Sequence, residues 1–190
     1  SLISVLFALA TPASALNLDL SGQAELTREV DRAADTYFMP TRAFDGTSVP
    51  ATELEGRVLR QAWRIEGEDL STLGILSEIR EQMTAQGYQI VLDCTAVECG
   101  GFDFRFGIDV LPPPDMFVDL FDFRFLSAQN PDVPGAQYIS ALVSRGGQAG
   151  YVQIVLVGSD ADPIIVAPLI GVDDVVVQAS QPRDEGENPP

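Results

Sequence analysis

Two cysteines, two acid–arginine pentads and a scatter of aspartates are the residues of this chain with chemistry to offer. Cys94 and Cys99 stand in Asp93-Cys-Thr-Ala-Val-Glu-Cys-Gly-Gly101. Redox-active pairs usually have the C-x-x-C spacing at a helix N-terminus, whereas four residues intervene here, so the pair reads as a structural disulfide. Closing so short a loop removes about 2 kcal/mol of unfolded-chain entropy and pins a strand end to a tight Gly-Gly turn. A four-ligand zinc site would need two more ligands. Phe102-Asp-Phe-Arg-Phe106 and Phe121-Asp-Phe-Arg-Phe125 are near-identical. Alternation puts three rings on one face and Asp103, Arg105, Asp122 and Arg124 on the other, which predicts two aromatic core strands with those four residues ion-paired at the solvent face. A stacking platform for bases or sugars would need exposed rings, and strictly alternating Phe is how a buried face is written. Asp160, Asp162, Asp173 and Asp174 are the densest carboxylates for hydrolysis or calcium binding. No spacing among them reproduces an oxygen-ligand loop with its central Gly and distal Glu, so they read as a solvated acidic surface that keeps the chain soluble and monomeric.

What the chain lacks narrows the chemistry further. There is no His, and all 11 basic residues are Arg. The commonest general base near neutral pH and the commonest metal ligand are therefore missing, which removes Ser-His-Asp triads, Cys-His dyads and His-ligated zinc. Ser-Lys nucleophiles and Schiff-base lysines go with them. No Walker loop, Rossmann fingerprint, nucleophile elbow or EF-hand string occurs, and Gly146, Gly147 and Gly150 sit in a hairpin turn instead of between a strand and a helix. With 28 acidic residues against 11 basic, the formal charge is −17, which excludes nucleic acid as a partner. No cofactor is implied.

The elements that must position these residues follow from local pattern. Ser1 to Ala10 is continuously apolar and Thr11-Pro-Ala-Ser-Ala15 follows with small residues, the pattern of a signal peptide whose charged leading residues are missing, cleaved between Ala15 and Leu16. About ten apolar residues are too few to span a bilayer, and the mature chain has no transmembrane segment. Residues 16–50 read as an extended N-terminal arm. Residues 57–65 alternate as a half-buried strand with Leu59, Trp63 and Ile65 inward. Ser71 or Asp69 caps a helix on which Leu73, Leu76, Ile79 and Met83 recur, and Gly87 stops it. Tyr88–Leu92 is a short strand. Tyr138–Arg145 and Tyr151–Val157 flank a Gly-rich turn and predict a hairpin. Pro163 and Pro168 demote the apolar run between them to an edge or crossing. Residues 179–190 form an acidic, Pro-rich tail or linker.

Several of these strings together resemble a family. Tyr37 to Gly46, Glu55-Gly-Arg-Val-Leu-Arg-Gln-Ala-Trp63, the Thr72-Leu73 helix start, Cys94 through Cys99-Gly-Gly-Phe-Asp-Phe-Arg105 and Met116-Phe-Val-Asp-Leu120 are similar to the N-terminal region of alphaproteobacterial OmpA-family envelope proteins, over residues 16–158. The resemblance implies a C-terminal module beyond an acidic linker that binds peptidoglycan through an Asp and an Arg. No residue here corresponds to that module. The eight-stranded membrane barrel of the family name does not fit a chain with an amphipathic helix, a Pro run and five or six candidate strands.

The expectation is therefore an exported α+β domain over residues 51–178, a small, mostly antiparallel sheet carrying one main amphipathic helix and one disulfide. Its expected work is non-catalytic, in contact with protein or cell-wall components of the envelope, in the periplasm and associated with the outer membrane. The alternative is a periplasmic small-ligand-binding or carboxylate-dependent hydrolytic domain.

Overall fold

A computed structural model describes residues 16–20, 22–132 and 137–158 in full, and residues 165–168 at the level of strand pairing. The strands are β1 (Asn17–Leu20), β2 (Gln23–Pro40), β3 (Ala51–Glu66), β4 (Gln89–Thr95), β5 (Phe123–Asn130), β6 (Gln137–Gly146), β7 (Ala149–Gly158) and β8 (Ile165–Pro168). The helices are α1 (Thr72–Ala85), α2 (Ala96–Cys99) and α3 (Gly101–Gly107). Six strands form one antiparallel sheet in the order β2-β3-β7-β6-β5-β4, and β1 and β8 pair in parallel beside it. Strand makes up 53% and helix 18% of the structure. The chain is thus mainly β, which corrects the expected α+β domain with a small sheet.

The largest part of that correction is the supposed arm. β2 is an 18-residue strand paired with β3 from Gln23↔Glu66 to Pro40↔Ala51. It hides in the sequence because it is an outer strand, exposed at most positions, and its two register shifts break the alternation that identifies a strand. β3 turns Leu59, Trp63 and Ile65 inward as its sequence predicts, but Val58 and Ala62 on its other side are buried too, so the strand is covered on both faces instead of half-buried.

α1 covers one face of the sheet. Ser71 Oγ accepts the Gly74 amide at 2.9 Å, as an N-cap must. At the other end the Tyr88 amide reaches Met83 O and the Gly87 amide reaches Thr84 O, a Schellman closure made possible by Gly87 at φ +88°. Thr72, Ile75, Leu76, Ile79 and Met83 are its buried residues, while Leu73, expected inward, is half exposed. β1 lies beside α1, and Leu16, Leu18 and Leu20 join the same core as Leu126, Ala141, Val152 and Ile154 of the sheet. Two glutamines act as a surrogate strand for β1. Gln82 accepts the Asp19 amide at 2.6 Å and donates to Asp19 O at 2.8 Å, and Gln86 does the same for Asn17 at 3.0 and 2.7 Å. Four residues of helix rise about 6 Å and two residues of strand about 6.7 Å, so the spacings match.

The opposite face is covered by α2, α3, the segment 108–122 and the far half of the β2–β3 hairpin. That hairpin bends across the sheet, placing Tyr37, Met39 and Leu54 against Val58, Val155 and Val157. Pro40 O reaches Ser127 Oγ on β5 at 2.6 Å.

Candidate functional site

The cysteines meet as expected. A Cys94–Cys99 disulfide joins the end of β4 to the end of α2, with Cα atoms 5.3 Å apart and both residues buried. Between them, Thr95 caps α2 and Glu98 reaches back to the Thr95 amide at 2.9 Å, a complete capping box. Those hydrogen bonds from Thr95 hold the Glu98 carboxyl below the usual range. Gly100 ends α2 at φ +113°, where a Cβ would lie 2.7 Å from Phe44 Cβ, so only glycine fits.

The two pentads separate, which corrects the prediction of twin strands. Phe121–Phe125 runs into β5, with Phe123 and Phe125 buried and Phe121 exposed. Phe102–Phe106 is helix α3: Phe104 alone is buried, lying 6.1 Å from the Phe123 ring and 5.2 Å from that of Phe125. On a helix, residues two apart do not share a face, so Phe102 and Phe106 point outward, their rings 4.5 Å apart. A Thr-x-x-Glu box followed by Gly-Gly was the sequence signal for a helical segment here. The expected solvent-face ion pairs among Asp103, Arg105, Asp122 and Arg124 do not form. Asp122 accepts from Thr72 Oγ1 at 2.7 Å, Arg105 lies 5.2 Å over the Phe106 ring, and Arg124 acts on Glu98.

The ion pairs among the described residues lie elsewhere. Arg60 bridges Asp35 at 2.9 Å and Asp109 at 2.7 Å, Arg57 meets Asp31 and Arg80 meets Asp93. Burial works against the charge on Arg60, but its bonds to Asp109 and Asp35 outweigh this and its pKa rises. Asp35, held by the Thr36 amide and Arg60, and Asp31, held by Arg57, are both lowered.

Buried polar side chains, which sequence reasoning did not single out, share one role. Ser127 holds Pro40, Ser140 holds the Tyr37 hydroxyl at 2.7 Å, Ser144 accepts the Asp119 amide at 2.8 Å, and Gln153 grips Leu111 N and Asp109 O. Each ties the covering segments to the sheet. On the other face Tyr88 donates to Gln137 at 2.8 Å, and burial pushes its hydroxyl pKa up to about 12. Gln61 bonds both Glu29 and Trp63.

Shallow concavities lie at one end of the sheet among the described residues. One, about 420 Å³, is lined by Arg64, Glu66, Gly67, Glu68, Gly146, Gln148 and Ala149. An adjoining one of about 330 Å³ includes Arg145, whose Nε is buried without a hydrogen-bond partner among the described residues. No group of three or more metal-ligating side chains occurs among the described residues, and no helix there is long and apolar enough to cross a membrane. Leu16, the expected first mature residue, is buried in the α1 core. Ala15, Asp160, Asp162, Asp173, Asp174 and the tail lie outside the described residues. No protein-family model and no curated protein matches the chain.

Proposed function

We propose that this chain is an exported, non-catalytic interaction and structural domain of the cell envelope, of the kind found at the N-terminus of OmpA-family proteins and associated with the outer membrane from the periplasmic side. The observation that carries this reading is the disulfide: a buried Cys94–Cys99 bridge between β4 and α2 suits an oxidising compartment. The use of buried polar side chains as tethers supports a scaffold, since a catalytic site would turn such groups toward a cleft. The shifted carboxylates Asp31, Asp35, Asp45 and Glu98 all move downward, away from the raised value a general acid needs. A ligand-binding alternative draws only on the Arg145 depression, open and rimmed by Glu68 and Asp69. Incubating the tagged protein with envelope fractions, then recovering it, tests the proposal. Retention by wall or outer-membrane material is expected, and retention by none contradicts it.

A further inference from the structure

β6 turns Ile139, Ala141 and Val143 into the core beneath α1. Alternate residues of a strand share a face, so Arg145 is the next member of that row. Its cross-strand partner is Gly150, where a Cβ would lie 2.7 Å from Ile75 Cδ1 and 3.8 Å from Leu70 Cδ1. The start of α1 thus presses on the base of the β6–β7 hairpin. There Arg145 is shut off from solvent at Nε, which has no hydrogen-bond partner among the described residues. Arg145 lines a depression of about 330 Å³ with Gly67, Glu68, Asp69, Leu70 and Gln148. Asp69, at φ +56°, turns the β3–α1 loop along its rim, in a left-handed conformation that Asp tolerates better than most side chains.

The charges around this depression are unmatched. Arg57, Arg60, Arg64 and Arg80 each meet a carboxylate, whereas Arg145, Glu68 and Asp69 form no ion pair among the described residues, although one depression joins them. A guanidinium spreads its charge over five N–H donors, and here one of them has lost water without gaining an acceptor. Such a donor is destabilising, and an oxyanion on the open edge of the same group offsets that by neutralising its charge. A bare anion is a poor occupant, because Glu68, Asp69 and the net charge of −17 oppose it. A ligand carrying both signs satisfies all three side chains.

We propose that this depression binds a small zwitterion of the amino-acid type, its carboxylate held by Arg145, its ammonium by Glu68 and Asp69, and its carbon chain against Leu70. Complementary charge gives the orientation. The volume falls at the lower end of small-molecule sites, which span about 300–1,000 Å³. Gly67, Glu68 and Gln148 also line the neighbouring depression of about 420 Å³, which leaves room for different side chains on the ligand.

Titrating L-leucine into the isotopically labelled, oxidised full chain tests this by NMR, following the Arg145 Nε–H and the backbone amides of Gly67 and Gln148. Saturable shifts with a half-saturation of about 1 mM are expected. Isocaproate, which lacks the ammonium, and isoamylamine, which lacks the carboxylate, should each bind about fivefold or more weakly. Arg145→Gln, with an unchanged circular-dichroism spectrum, abolishes saturation. Glu68→Gln with Asp69→Asn, both at exposed positions, weakens leucine about fivefold and leaves isocaproate no weaker. No saturable shift up to about 20 mM leucine, isocaproate binding as tightly as leucine, or undiminished leucine binding in either variant overturns the proposal. The site goes beyond the envelope reading: a chain that binds envelope fractions but not leucine sinks the site alone, and one that binds leucine but no envelope fraction sinks the envelope reading alone.

Discussion

Replacing the three rings of α3 by alanine one at a time separates a helix from a strand by thermodynamics. Phe104 has no exposed surface and contacts the rings of Phe123 and Phe125. Deleting a fully buried Phe costs about 3–5 kcal/mol, from lost transfer free energy plus the cavity left behind. Phe102 and Phe106, at 60% and 64% exposure, lose chiefly their contact with each other. Alanine's better helix propensity returns about 0.5 kcal/mol at each, so their net cost falls below about 1 kcal/mol. For a chain of this size each kcal/mol lowers Tm by about 2–4 °C, so Phe104→Ala should melt roughly 6–20 °C below wild type and the other two within about 4 °C. Urea titrations with unchanged slope give the same ranking as free energies. Three equal losses would mean that all three rings face one core, and a cost below about 1 kcal/mol for Phe104→Ala would mean that α3 is not docked on β5. Either result refutes the packing described.

Three other outcomes follow from the same structure. Replacing Cys94 and Cys99 together by Ala should cost about 2 kcal/mol in urea unfolding, by freeing the unfolded chain, and the reduced wild type should unfold at the same midpoint as that variant. Gln82→Ala and Gln86→Ala each remove two hydrogen bonds to β1, so the amides of Asp19 and Asn17 respectively should exchange with solvent faster, while those of β3 and β7 do not change. Asp31 and Asp35 have folded-state pKa values below the ordinary 3.8, so the stability they contribute is complete above that value and is lost as pH falls through the lowered one. Asp35→Asn should therefore flatten the acid limb of a stability–pH curve, and an unaltered limb would show that Arg60 does not hold it.

How much of this was legible in the sequence depended on whether a segment's burial matched its period. α1 shows one clean period between Ser71 and Gly87, while β3 and the β6–β7 hairpin, although buried on both faces, were legible from the alternation of Leu59, Trp63 and Ile65 and from the Gly-rich turn between two apolar runs. β2 was not, because an outer strand pairs through its backbone and leaves its side chains free to be charged, and two register shifts move the inward positions. The pentads failed in another way. The same five residue types make a strand at 121–125, where β6 offers Ser144 and Leu142 as partners, and a helix at 102–106, where the preceding capping box and Gly100 set the direction. Local pattern cannot choose between these, and tertiary pairing does. The tethering serines and Gln153 carried no signal, since what they bond is covering backbone distant in sequence.

The intact mass of the protein recovered from separated cellular fractions bears most directly on the central claim. The account predicts a polypeptide in the periplasmic or outer-membrane fraction that starts at Leu16 and is lighter than its reduced form by the hydrogens of Cys94 and Cys99. An uncleaved, fully reduced chain confined to the cytosol would contradict it.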